Sequence, residues 1–316
     1  MKRALSVVAL FLAWPGLRAD EPKRLMNLPY GTHPRQVLDF YQAKSDKPTP
    51  VVFYIHGGGW QAGDKRFNPQ PFLDKGISVV AINYRYVKHG VEDKVEPPVK
   101  APLEDAARAL QFVRSKAAEW NIDKKRIAAT GGSAGGCSSL WLAFHDDMAD
   151  PDSKDPIARE STRLYCAAVS GAQTSLDPRE LREWMPNYSY GAHAFGLPNF
   201  QSLIDNREKV LKWIKEYSPI EHVSKDDPPV FLEYNQKKPP VIGENQDDPP
   251  IGLFYGGDKD AKVGDSPKDP THSPILGIKL EEKLKSVGVD VILVYPGRPN
   301  EKYKTSQDYL IDHLLK

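Results

Sequence analysis

Short apolar runs rich in β-branched residues alternate along this chain with stretches whose apolar residues recur at every third and fourth position. The runs predict strands at 51–55, 77–86, 126–130, 164–169 and 291–295. The 51–55 run is apolar without interruption, as expected of a strand covered on both faces, which is the condition of a buried parallel sheet. Between the runs, Leu103, Ala106, Ala107, Leu110, Val113 and Ala117 fall at helical spacing behind Pro102, predicting an amphipathic helix over 102–120. Further helices are predicted at 71–75, 135–144, 274–286 and 306–315. Alternation of this kind predicts an α/β fold: a mostly parallel central sheet with helices on both faces.

Two segments break the rhythm. Residues 175–217 are rich in tryptophan, tyrosine, proline and asparagine, with one amphipathic helix near 207–215. They read as a small cap insertion or as a long loop with a helix, and both readings stay open. The second is an echo: Asp226-Asp227-Pro228-Pro229-Val230 returns as Asp247-Asp248-Pro249-Pro250-Ile251, and the same offset pairs Leu232 with Leu253, Tyr234 with Tyr255 and Gly243 with Gly264. This predicts a duplicated strand-and-loop segment over 226–267. One copy is expected in the core sheet and the other as an edge strand or an irregular excursion.

A chain of 316 residues with 40% apolar content suits one large domain. Lysine plus arginine (43) nearly equals aspartate plus glutamate (42), with no long run of one sign, which argues against a nucleic-acid partner. Met1-Lys2-Arg3, the apolar stretch 4–15 and Leu17-Arg18-Ala19 read as a signal peptide over 1–19, leaving a single domain at 20–316 that is secreted or periplasmic. The apolar stretch is short of the roughly 20 residues that a bilayer requires, so no membrane span is expected once it is removed. Cys137 and Cys166 both lie in apolar surroundings; a disulfide or two buried thiols would fit.

The chemistry lies in two glycine-rich motifs. Gly131-Gly132-Ser133-Ala134-Gly135-Gly136 fits G-x-S-x-G between a predicted strand and a predicted helix, which points to Ser133 as a nucleophile. A sharp strand-to-helix turn needs small flanking residues, and the helix N-terminus beneath it favours developing negative charge. His56-Gly57-Gly58-Gly59-Trp60 follows directly on the 51–55 strand. Backbone N–H groups can face an oxyanion there because no side chains intervene, so Gly58, Gly59 and Ala134 are the expected donors. No Lys-Ser or Lys-Thr pair closes the loop, which argues against a nucleotide phosphate cradle.

HGGGWQAGDK from His56, INYRY from Ile82 and TGGSAGG from Thr130 resemble, in order and spacing, the hormone-sensitive-lipase-like and carbohydrate (acetyl or feruloyl) esterase branches of the α/β-hydrolase family. The resemblance runs over roughly residues 48–315. It implies the α/β-hydrolase fold and a Ser-Asp-His triad in that chain order. It also implies hydrolysis of a small-molecule or polysaccharide ester through an acyl-enzyme, with no metal and no organic cofactor.

In the family pattern the acid follows the next-to-last strand as G-x-x-D-x-x-V. Gly257-Asp258-Lys259-Asp260-Ala261-Lys262-Val263 matches it and points to Asp260, with Asp258 as the neighbouring alternative. The histidine departs from the pattern, because 296–304, after the last predicted strand, contains none. His272 is then the expected base and His313 the fallback. Two other functions stay open: a catalytically silent fold that binds glycan or protein, and an exopeptidase, although exopeptidases of this fold favour an aromatic residue where Ala134 stands.

Overall fold

The computed structural model describes residues 22–234 and 259–316. The expected signal segment and the strand portion of the second echoed copy lie outside the described residues. Eight strands form one sheet: β1 (Arg24–Pro29), β2 (Val37–Tyr41), β3 (Thr49–Ile55), β4 (Ser78–Ile82), β5 (Ile122–Gly132), β6 (Cys166–Ser170), β7 (Val230–Glu233) and β8 (Val291–Val294), in the order β1-β2-β4-β3-β5-β6-β7-β8. From β4 across to β8 every pairing is parallel, whereas β1 and β2 join antiparallel at the edge. Sequence periodicity misses these two for physical reasons. β1 is largely solvent-facing, and β2 carries Asp39, buried in a 3.0 Å ion pair with Lys65, in the middle of its apolar run.

Successive side chains of a strand point to opposite faces. Val51, Phe53 and Ile55 therefore enter one apolar cluster and Val52 the other. The helices divide accordingly. α1 (Gln70–Leu73) lends Phe72 to the smaller cluster, whereas α3 (Lys100–Ser115) and α5 (Ala134–Phe144) fill the larger; α2 (Val87–Glu92) and α4 (Ala117–Trp120) flank α3 in sequence. The expected helix over 102–120 is thus two. Lys116 leaves helical geometry between them, and Asn121, at φ +49°, ends the second. Between β6 and β7 lie α6 (Pro178–Trp184), α7 (Phe200–Asp205) and α8 (Arg207–Tyr217), so residues 175–217 are more helical than their sequence suggests. α9 (Pro274–Ser286) packs on the larger cluster and α10 (Ser306–Leu314) on the smaller. The first echoed copy supplies β7, between β6 and β8. Cys137 and Cys166 are buried free thiols.

The strand expected over 77–86 stops at Ile82, because the next four residues serve a loop. Tyr84 Oη donates to the His56 carbonyl at 2.8 Å and Tyr86 Oη to the Gly63 carbonyl at 2.5 Å. Asp105 on α3 holds that loop. Its carboxylate accepts from the Arg85 backbone N–H (2.8 Å), the Arg85 guanidinium (2.8 Å) and Gln36 Nε2 (2.7 Å), and it is almost wholly buried. Removing one member of a buried charge pair leaves the other uncompensated. Asp105→Ala should therefore lower unfolding stability by about 3 kcal/mol, read as a lower urea midpoint at unchanged m-value.

Candidate active site

β5 runs straight into α5, and Ser133 is the residue between them, with φ 53° and ψ −125°. Non-glycine residues rarely take this conformation, so surrounding contacts must hold it. Ser133 N–H donates to the Ser170 carbonyl at the end of β6 (2.9 Å), and the first turn of α5 closes back onto the Ser133 carbonyl from Cys137 N–H (2.8 Å).

The glycines of the two motifs let their backbones touch. A Cβ on Gly131 would lie 2.3 Å from the Ile55 carbonyl oxygen, and one on Gly135 only 2.1 Å from the same atom. A Cβ on Gly57 would meet the Gly132 oxygen at 2.7 Å. The end of β3 thus packs against the serine turn at distances no side chain permits. Beyond it, Gly58 (φ +92°) and Gly59 (φ +62°) turn the chain, and among the described residues their N–H groups donate to no acceptor. Ala134 stands at the first position of α5, where a helix leaves its N–H free. The three expected oxyanion donors therefore come from one loop and the helix end facing it.

Polar contacts fix this loop from both sides. His56 is fully buried; its Nδ1–H donates to the Gly57 carbonyl (2.8 Å) and its Nε2 accepts from Arg35 (3.3 Å). Burial pushes its pKa down to about 3, so the ring is a neutral strut rather than a base. From the segment between β6 and β7, His193 Nε2–H donates to the Gly59 carbonyl at 2.9 Å, and the Tyr190 hydroxyl lies where a Gly59 Cβ would be, 2.3 Å from that point. Burial lowers the His193 pKa and raises that of Tyr190 to about 12. Sequence reasoning did not single out either residue. Distance along the chain hides them, and only the aromatic richness of 175–217 hinted at a role.

His272 comes to Ser133: its Nε2 lies 2.9 Å from the serine Oγ. Its Nδ1 lies 2.7 Å from Asp269 Oδ2. The carboxylate expectation is corrected here, since Asp260 is exposed and Asp269 occupies the place beside the ring. The reason is local. Pro270–His272 is a single 3₁₀ turn that Asp269 caps, its Oδ1 accepting from Thr271 N–H (3.1 Å), so residues three apart share one side. The signal was present as Asp-Pro at a helix start, but the G-x-x-D-x-x-V match drew attention upstream. Gln173 Nε2 donates to the Thr271 carbonyl at 2.7 Å, and Gly171, at φ +53°, lies beneath the His272 ring. His313, the fallback base, instead stacks on Tyr309 at 3.8 Å.

A mostly parallel eight-stranded sheet, with a serine on the sharp turn between its fifth strand and the following helix, defines an α/β-hydrolase. Over residues 38–263 the chain matches the BD-FAE family model, and it belongs to that family. It is 30% identical over 191 residues to the "Probable carboxylic ester hydrolase LipM" of Mycobacterium tuberculosis, covering 58% of this chain and 40% of that protein. The chain thus spans less than half the length of that relative. Two solved structures share the fold. A truncated carbohydrate esterase from gut microbiota gives a TM-score of 0.64 at 19% identity, covering 93% of this chain and 97% of the other. The propionate-bound thermophilic esterase Est2 of Thermogutta terrifontis gives 0.56 at 22%, covering 89% and 84%.

The geometry aligns one serine, one imidazole and one carboxylate. A fluorophosphonate should label Ser133, and Asp269→Ala should slow that labelling by on the order of 10³-fold or more. Asp260→Ala should leave the rate within about 2-fold, because the residue is exposed and another carboxylate holds the ring. Equal losses in the two variants would reject the assignment.

Proposed function

We propose that the chain is a serine carboxylesterase acting through an acyl-enzyme on Ser133, with His272 as general base and Asp269 as its orienting carboxylate. The observation that carries this reading is the continuous chain from Ser133 Oγ to His272 Nε2 (2.9 Å) and from His272 Nδ1 to Asp269 Oδ2 (2.7 Å), beside backbone donors on Gly58, Gly59 and Ala134. Attack by Ser133 Oγ on the ester carbonyl passes its proton to His272, and the resulting oxyanion faces the three N–H groups. Collapse expels the alcohol, which takes the proton from His272 and leaves the acyl group on the serine. Water, deprotonated by His272, then attacks the acyl-enzyme; the second tetrahedral intermediate releases the acid and returns the proton to Ser133 Oγ. Asp269 holds the ring in the tautomer whose Nε2 can accept, and it stabilises the imidazolium.

The proposed substrates are acetyl or aromatic acyl esters on carbohydrate. The likeness to a protein named as a carbohydrate esterase supports that class, as does the secreted or periplasmic setting read from residues 1–19, itself part of the proposal. The reading as a silent binding protein drew on the lack of a histidine after the last strand, and His272 at the serine removes that motive.

The purified chain should hydrolyse 4-nitrophenyl acetate and release acetate from acetylated xylan or ferulate from methyl ferulate, while leaving aminoacyl-nitroanilides intact. Ser133→Ala should lower the turnover number by on the order of 10⁴-fold or more. The rate should fall as the medium is made acidic, because a protonated imidazole cannot accept the serine proton. Retention of turnover by Ser133→Ala, or a flat acidic limb, would reject the mechanism. Cleavage of the nitroanilide alone would move the chain to the exopeptidases.

A further inference from the structure

α5 ends far from the serine, and what it meets there takes no part in the proposed reaction. His145, which follows the last turn of α5, stands against Glu216 near the end of α8 and His222 in the 3₁₀ turn Pro219–His222. One potential ligand atom from each of the three lies within 4.8 Å of the other two. His145 Nε2 is 3.1 Å from Glu216 Oε1, and the two imidazole rings are 4.7 Å apart, tilted by 40°.

The other nitrogen of each ring is already committed. His145 Nδ1 lies 2.9 Å from the Asp146 carbonyl oxygen, and His222 Nε2 lies 2.6 Å from the Glu216 carbonyl oxygen, which also accepts the Trp141 indole N–H at 2.8 Å. A carbonyl oxygen only accepts, so both of these ring nitrogens carry hydrogen. In a neutral ring that leaves a lone pair on Nε2 of His145 and on Nδ1 of His222. The His145 lone pair then faces a carboxylate oxygen, acceptor against acceptor, an arrangement made attractive by a proton or a metal cation between them. Histidines that bind metals characteristically donate their second N–H to a backbone carbonyl, as both do here. Ligand atoms about 2.0–2.1 Å from a tetrahedral zinc ion stand roughly 3.3 Å apart, close to the His145–Glu216 separation. The ends of α5 and α8 also converge at this place, and the negative ends of two helix dipoles favour a cation.

We propose that His145, Glu216 and His222 form a binding site for a divalent transition-metal ion of the zinc type, completed by water. It lies about 16 Å from Ser133, the length of an 11-residue helix. The ion would tie the C-terminal end of the nucleophile-bearing helix to the base of the segment inserted between β6 and β7. It has no step in ester hydrolysis.

The test is calorimetric titration of chelator-treated full-chain protein with zinc chloride near neutral pH. One saturable site is expected, with a dissociation constant in the micromolar range or below, together with a rise in Tm on zinc addition. His145→Ala and His222→Ala should each weaken binding by more than about 10-fold, the amount that even outer-shell partners of a metal are worth. Hydrolysis of 4-nitrophenyl acetate should be unchanged by saturating this site. Should either alanine variant lose its circular-dichroism spectrum, Glu216→Gln keeps the volume and should still weaken binding. Absence of saturable binding below millimolar zinc would overturn the proposal. Equal affinity in wild type and variants would overturn it too, by placing the ion elsewhere.

Discussion

The carbonyl oxygen of Ile55 is where two segments far apart in sequence come within bare-backbone distance. β3 ends there, and Gly131 and Gly135 pass it so closely that a single added carbon on either would overlap it. Because that gap is closed, the loop beginning at His56 emerges beside Ser133 rather than above it. The serine's own strained backbone is then tolerable, since a bond to Ser170 and the start of α5 hold it in place. A methyl group inserted at this point would force the strands or the helix apart, and every later distance in the site depends on that one.

Around this contact the protein uses buried polar groups as struts. His56 is kept neutral by burial, and with its Nδ1–H on Gly57 and its Nε2 against Arg35 it sets the direction of the glycine loop. Tyr84 and Tyr86 tie the same loop from the segment after β4, and Asp105 in turn fixes Arg85 between them. From the opposite side His193 grips the Gly59 carbonyl. A loop of three consecutive glycines would be floppy alone; here its carbonyls are engaged from two directions while its N–H groups stay available.

Much of this was legible in the sequence, and the unread parts share a cause. An uninterrupted apolar run marked β3, and helical spacing marked α3, because burial on both faces or along one stripe leaves a strong periodic imprint. Glycine spacing marked Ser133 and the facing loop, since only glycine permits the approach. His272 is legible from its place on the loop before α9, whereas the match at Asp260 hides Asp269. A carboxylate's partner depends on which turn it caps, and Asp-Pro-Thr-His carries that information in a local rule easily outweighed by a longer pattern match. His193 and Tyr190 are marked only by the aromatic richness of their segment, because their significance lies in a contact with a residue more than a hundred positions away. β1 and β2 were missed because partial exposure and a buried charge pair erase periodicity without erasing the strand. The echo predicts one copy in the sheet; the first supplies β7, and the strand portion of the second lies outside the described residues.

An imidazole and its carboxylate carried on separate loops can drift apart independently, and each drift changes the charge that the ring feels. In this chain both ride on one 3₁₀ turn between Gln173 and the start of α9. A displacement of that turn therefore moves the ring and its carboxylate together, and what it changes is the gap between the ring and Ser133. The loop over 296–304 after β8, which contains no histidine, instead serves packing, as in the paired bonds of Arg298 to Glu281 at 2.7 and 2.6 Å. A substitution in that loop can then alter how α9 is braced from the end of the sheet while the ring beside Ser133 keeps its own carboxylate.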